Sequence, residues 1–352
     1  MMPGAGHNDG QFDTRVSRGV DNPNDRSEVN LKEERTMQTN KQHDDRITAT
    51  DRRSFLAQVV GLAAATALQP KPVVGAADAA AQAPMPTIQL GKHRISRLVA
   101  GSNPVLGYSY AGQHADRHMK EYFTPERTME FLQNCERAGI TTHQFADPDL
   151  ALPYIRPLRE RGSKMTFFCL FSQREKIKDA VERARPIAMV HHGGATDRLF
   201  ADGKSSQVHD FVKAAHDCGV LAGVSAHNPD CIKRVADEGW EVDFFMTCFY
   251  FLTRKMVKKD TEIPMLDFGL PFFRDDPKAM TQVVRQVKQP CFGFKILGSG
   301  RHCSNQKTVR AAFKFAFENI KPTDGVIVGM FPWFFDEVGA NAQFTRELGK
   351  LA

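Results

Sequence analysis

Four histidines, a lysine and an aspartate fall where short apolar runs end, and this placement is the first sign of chemistry in the 352-residue chain. His143 lies in the run Thr141–Phe145, with Asp147 just beyond it. His191 and His192 end the run that begins at Ile187, His227 follows Leu221–Ser225, and Lys295 lies in Cys291–Ile296. Imidazoles gathered at one site move protons near neutral pH or bind a transition metal, and a nearby lysine or carboxylate supplies charge. His143, His192, Asp147 and Lys295 are therefore the candidate catalytic residues. His143, His191 (or its neighbour His192) and His227 are the candidate ligands for a divalent metal, matching the three protein donors that a catalytic centre with an open position requires. No HxH or HExxH spacing joins them locally, so only the fold can bring them together.

The elements that must do so are eight short apolar runs: Ser96–Ala100, Thr141–Phe145, Met165–Phe171, Ile187–His191, Leu221–Ser225, Phe244–Phe249, Cys291–Ile296 and Gly325–Gly329. Most are followed by a helical period. Thr124, Asn228 and Asp276 each precede a proline, which marks helix starts, and Gly139, Gly162, Gly219 and Gly239 mark helix ends. Near-continuous hydrophobic strands alternating with helices predict a parallel sheet covered on both faces. Eight repeats over roughly 250 residues predict a single α/β (β/α)8 TIM barrel. No GxGxxG follows a first strand, which counts against an open dinucleotide-binding sheet. In such a barrel the chemistry sits at the C-terminal strand ends. His143 is thus expected to approach one of His191 and His192 across the central cavity. Successive strand residues alternate faces, so only one of that pair can point inward. His192, beyond the regular strand, is the one with freedom to turn. The long segment Thr253–Arg274 carries the apolar tract MLDFGLPFF and is expected to form a lid or pocket wall.

Ahead of the barrel, expected over residues 84–352, the composition differs. Residues 1–50 are polar without an apolar period, which predicts a disordered leader. Residues 51–83 contain Asp51-Arg52-Arg53-Ser54-Phe55-Leu56, a modest uncharged stretch and the small-residue tract GAADAAAQA. This resembles a twin-arginine signal, with Asp51 in place of the usual Ser/Thr and Ala57 in place of a frequent Lys. The resemblance implies the twin-arginine translocase as a transient partner and a periplasmic or other extracytoplasmic destination. The apolar stretch is too short and Ala-rich for a permanent membrane span, which needs about 20 apolar residues. The net charge of +6 is not gathered into a basic face interleaved with aromatics, so nucleic acid is not an expected partner. The seven cysteines include no CxxC pair and sit mostly in apolar runs, so a disulfide framework is not expected.

Over the barrel region the sequence resembles the aldo/keto reductase superfamily. The segments are HRISRLVAGSNP, ERAGITTHQFAD, HDCGVLAGVSAHNPDCIKRV, FGFKILGSGR and DGVIVGMFPWFFDEVGANAQF. The resemblance implies a (β/α)8 barrel and NADP as cofactor, held by Lys295, Ser299, Gly300, Arg301 and Asn341. It also exposes departures. The family's catalytic Asp falls on Gln144, its Tyr has no counterpart in Ala146–Asp149, and its strand-three Lys falls within Phe167–Cys169. Only the strand-four His survives, as His191 or His192. Ordinary carbonyl reduction needs a phenol and a cation to protonate the developing alkoxide. Three readings stay open: a divergent reductase-like enzyme acting on a small carbonyl or sugar-like substrate by non-standard chemistry; a metal-dependent lyase, isomerase or epimerase; and a non-catalytic ligand-binding barrel.

Overall fold

The computed structural model describes residues 83–255 and 270–350. The leader at 1–50, nearly all of the 51–83 signal segment and residues 256–269 of the expected lid lie outside them. An antiparallel hairpin, β1 (Thr87–Leu90) and β2 (His93–Ser96), opens the described chain. Eight parallel strands follow: β3 (Leu98–Gly101), β4 (Thr142–Ala146), β5 (Thr166–Phe171), β6 (Ala188–His191), β7 (Leu221–Ala226), β8 (Phe244–Cys248), β9 (Cys291–Phe294) and β10 (Gly325–Gly329). They pair in sequence order, and β10 closes on β3 to complete the barrel. Between and after them run α1 (Gln113–Tyr122), α2 (Pro125–Arg137), α3 (Pro148–Glu160), α4 (Ile177–Ala184), α5 (Gly193–Ala201), α6 (Ser206–Asp217), α7 (Pro229–Asp237), α8 (Asp276–Gln286), α9 (Gln306–Asn319) and α10 (Glu337–Leu348). No described helix is long and apolar enough to cross a membrane.

Local sequence explains the boundaries. Thr124 caps α2 by accepting from the Arg127 amide, and Asn228 caps α7 by accepting from the Asp230 amide. Gly139, just past the end of α2, takes φ of 83°, a value that favours glycine and lets the chain turn back toward β4. Asp276 departs from expectation. It lies inside the first turn of α8, and its carboxylate accepts from Arg254 at 2.6 Å instead of capping the helix.

Strand alternation divides the core in two. Val99, Phe168, Val190, Phe244, Met246, Phe292 and Ile327 fill the barrel interior, where Ile88, Leu90 and Ile95 of the hairpin pack beneath them. The intervening residues, among them Ala100, Phe145, Phe167, Met189 and Val224, face the helical shell. The hairpin therefore seals the N-terminal end of the barrel. All seven cysteines are unpaired, and five of them are buried.

Candidate active site

At the C-terminal strand ends a cavity of about 540 Å³ opens, floored by Leu170, Met246, Phe294 and Ile327. Of the expected catalytic residues, His192 and Lys295 line it, as does the candidate ligand His227. His143 does not. On β4 it is Gln144 that turns inward, so alternation sends His143 outward against α3, where it is fully buried. Its Nδ1 lies 2.9 Å from the Ala100 carbonyl, so that nitrogen donates and Nε2 accepts from the Tyr154 hydroxyl at 3.3 Å. Burial pushes its pKa down to about 4, and it is a neutral packing residue. His191 is turned outward by the same alternation, with Nδ1 2.7 Å from Thr196 Oγ1 and its ring edge-on to Phe211 of α6. Burial lowers its pKa to about 4 as well. The expected approach of His143 to the histidine pair across the cavity is thus overturned. Asp147 is exposed and does not line this cavity; it caps α3 by accepting from the Asp149 amide at 2.9 Å.

These placements also dissolve the expected metal centre. Only His227 of the His143, His191 and His227 set reaches the cavity, and among the described residues no three His, Cys, Asp or Glu converge. Among the described residues the donors therefore do not fit a metal.

A different constellation occupies the mouth. His227 Nδ1 lies 2.9 Å from Asp197 Oδ2, and the buried carboxylate also accepts from the Thr253 hydroxyl at 2.8 Å and the Asn228 amide at 3.1 Å. A carboxylate can only accept, so Nδ1 carries the proton and the ring is held as the tautomer with a basic Nε2. Nε2 has no hydrogen-bond partner among the described residues. Gly193 makes the arrangement possible: a Cβ there would stand 2.9 Å from Ser225 Oγ and 3.2 Å from His227 Cε1. His192, exposed toward the cavity, has its pKa lowered first by desolvation and then by His227 and Lys295.

Opposite elements contribute a second pair. Lys295, just past β9, donates from Nζ to Tyr110 Oη at 2.9 Å and also lies 4.3 Å from the Tyr110 ring centroid. Tyr110 belongs to the loop between β3 and α1. Both residues hold positive φ, 59° for Tyr110 and 58° for Lys295, in a region that bulky side chains rarely enter. Two strained residues meeting across the mouth form the kind of arrangement that persists at functional sites. Tyr110 and Asp197 were both missed in the sequence. Asp197 had a signal, since helical spacing sets it on the same face as Gly193, turned toward the sheet. Tyr110 had none, because its partner lies 185 residues away.

Four of the five residues expected to hold NADP, namely Lys295, Ser299, Gly300 and Asn341, line one wall of the cavity. Arg301 does not: its guanidinium lies 3.7 Å from the Phe272 ring centroid and donates to the Gly298 carbonyl. Phosphates are held by backbone amides and cations aimed outward. Here the amides of Gly298, Arg301, His302 and Cys303 bond within their own loop, and Asn305 takes the Lys307 and Thr308 amides of α9. The Glu337 carboxyl stands in the same wall, its pKa raised by burial. Among the described residues the amides of Ser299 and Gly300 have no partner, so with Lys295 they remain the donors this wall could offer a phosphate.

The fold and mouth together define a (β/α)8 barrel whose open end carries acid–base groups. The chain matches no protein-family model and no curated protein. Solved structures similar to it include a glycerol dehydrogenase from Gluconobacter oxydans, at 12% identity and TM-score 0.48, covering 76% of this chain and 91% of that one. A 2,5-diketo-D-gluconic acid reductase B is similar at 10% identity and TM-score 0.47, covering 77% and 95%. A truncated 3-deoxy-D-arabino-heptulosonate 7-phosphate synthase from Thermotoga maritima is similar at 12% identity and TM-score 0.43, covering 77% and 92%. At this distance none of them bears on what the mouth does.

Proposed function

We propose that the protein is an enzyme that moves protons at a small carbonyl- or hydroxyl-bearing, sugar-like substrate. The observation that carries the reading is the Asp197–His227 pair, whose remaining imidazole nitrogen has no partner among the described residues and belongs to a ring lining the cavity. In this reading His227 Nε2 removes a proton from the carbon next to a carbonyl. The Tyr110 hydroxyl, held by Lys295, gives its proton to the carbonyl oxygen as negative charge develops there, producing an enediol. His227 then returns the proton to the former carbonyl carbon while the enediol's other hydroxyl gives its proton to the Tyr110 oxygen, which forms the new carbonyl, restores both groups and releases the isomer. Gln144 and Ser102, which also line the cavity, supply hydrogen bonds to substrate hydroxyls. A proton base and a proton donor at one small cavity are what such chemistry needs, and each group is worth about 10²–10⁴-fold in rate.

The Tyr110–Lys295 pair favours a second reading, carbonyl reduction by a divergent reductase-like enzyme, because it restores a phenol and a cation from new positions. The Glu337 carboxyl and the amides of Gly298, Arg301, His302 and Cys303, bonded within their loop, weigh against the NADP that reading calls for, which leaves it the amides of Ser299 and Gly300. One experiment separates the two. The protein is incubated in deuterium oxide with a panel of small aldoses, ketoses and 2-hydroxy ketones, with and without NADPH, and followed by proton NMR. Loss of a carbon-bound proton signal without NADPH, abolished in His227→Ala, is the expected result. Turnover that occurs only with NADPH would overturn the proton-transfer reading. We further propose that the enzyme acts after export, a reading supported by the arginine pair and small-residue tract within residues 51–83.

A further inference from the structure

We propose that the rim of the mouth is an extended subsite that stacks the flat faces of further sugar rings, on a neutral chain whose end occupies the cavity. The proposal rests on the sugar-like substrate of the preceding reading. All eight large hydrophobic side chains that are exposed among the described residues lie on the mouth side of the barrel. Tyr108 and Tyr110 come from the β3–α1 loop, and Trp333, Phe334 and Phe335 from the β10–α10 loop; two more precede α8 and one lies in the first turn of α3. Phe334 is 85% exposed and Tyr108 57%. Scattered exposed apolar residues need no explanation, whereas a patch gathered around one opening marks a binding surface.

The patch is continuous with the cavity, because Tyr108, Tyr110 and Phe335 belong to both. The ligand must therefore satisfy polar groups at one end and flat aromatic faces at the other. A sugar chain does so, with hydroxyls around each ring's edge and weakly positive C–H groups on its faces, which suit the negative face of an aromatic ring. A lipid tail would leave His192, His227 and Gln144 without partners. Lys295 and Arg254 stack on Tyr110 and Phe273, and Asp336 and Glu337 directly follow Phe335, so the rim carries both signs of charge instead of the one-sided basic face that an anionic membrane surface attracts. Among the described residues lining the cavity, Lys295 is the one Lys or Arg and Glu337 stands in the same wall, so the lining has no cluster of cations for a phosphorylated chain.

The chain's two tryptophans make the rim readable. Trp333 stands at its outer edge beside Phe334, edge-on to His118 and Tyr122 of α1. Trp240 lies in the α7–β8 connection at the far end of the barrel, stacked on His209 at 4.5 Å. In a full-length Trp240→Phe variant, emission reports the rim alone. It is titrated with neutral hexasaccharides of α- and β-linked glucose, N-acetylglucosamine and xylose, and with the parent monosaccharides. At least one hexasaccharide should shift Trp333 emission and bind about tenfold or more tighter than its monosaccharide. Phe334→Ala should remove most of that gain. The proposal is overturned if no hexasaccharide shifts the emission or none outbinds its monosaccharide. It is equally overturned if the shift comes only with phospholipid vesicles, or only with rising protein concentration as copies associate. Tight chain binding without proton exchange would sink the proton-transfer reading and leave the rim intact. Exchange on monosaccharides without chain-length dependence would do the reverse.

Discussion

The Asp197 carboxylate accepts the Nδ1 proton of His227 at 2.9 Å and simultaneously ties down Thr253 and the Asn228 amide, so one buried acid fixes both a ring and the loops around it. Asp197→Asn keeps the shape but can present an amide N–H to the ring and stabilise the wrong tautomer. Exchange activity should fall by about 10²–10⁴-fold, with the melting temperature much less affected. Equal activity in the variant would show that His227 is not the base.

The Tyr110–Lys295 pair separates acid from base. Tyr110→Phe removes the donated proton and leaves the stacked ring, so kcat should drop by about 10²-fold or more while KM changes little. Lys295→Met should follow it in direction. If Tyr110→Phe instead raises KM alone, the pair binds substrate and delivers no proton.

His143 and His191 predict a pH dependence of stability. Each has a folded pKa near 4 against an ordinary 6.5, because burial disfavours the charged ring. The unfolded chain thus binds more protons between those values. The stability these rings contribute is present in full above about pH 6.5 and is lost as pH falls toward 4, at up to ~1.4 kcal/mol per pH unit for each fully titrating ring. Chemical denaturation at pH 7 and pH 5 checks this. His143→Phe should flatten the profile, and an unchanged slope would mean that this ring stays accessible to protons.

Gly193→Ala tests the packing beneath the ring. The new methyl would press on Ser225 Oγ and His227 Cε1, so α5 or the imidazole must shift. Misplacing a catalytic group by about 1 Å can cost 10²-fold in rate. Activity should therefore fall well beyond any loss of thermal stability, measured by calorimetry on the same sample.

Arg97 offers a contrast at the opposite end. Its buried guanidinium donates to the carbonyls of Asp324 at 2.7 Å, Gly349 at 2.8 Å and Lys321 at 3.1 Å, joining the start of β3 to the chain's last turn. Arg97→Met should cost about 3–5 kcal/mol, since it breaks a buried charged network. Activity per folded molecule should be unchanged.

The barrel was legible because its strands are apolar on both faces, and each run found as a strand lies within a few residues of the apolar segment that marked it. The hairpin was not, although TIQL and HRIS alternate on either side of Gly91-Lys92; at four residues each they fall below a clear period. The site was harder for a specific reason. Reading strand ends identifies which residues are near the mouth, but alternation decides which of them enter it. That rule excluded His143 and His191 and admitted Gln144 and His192. Partners drawn from distant loops, as Tyr110 and Lys295 are, leave no local pattern at all. Asp147 shows the converse, a residue at the right strand end that its own helix claims as a cap.

The hairpin seal at the barrel's base also governs traffic. With Ile88, Leu90 and Ile95 packed under the core, the described residues leave the cavity open at the C-terminal strand ends and closed at the base. In the proposed reaction product would have to vacate before the next substrate arrives, and a chain lying across the aromatic rim would slow both passages alike. Accumulated product should then compete directly with fresh substrate.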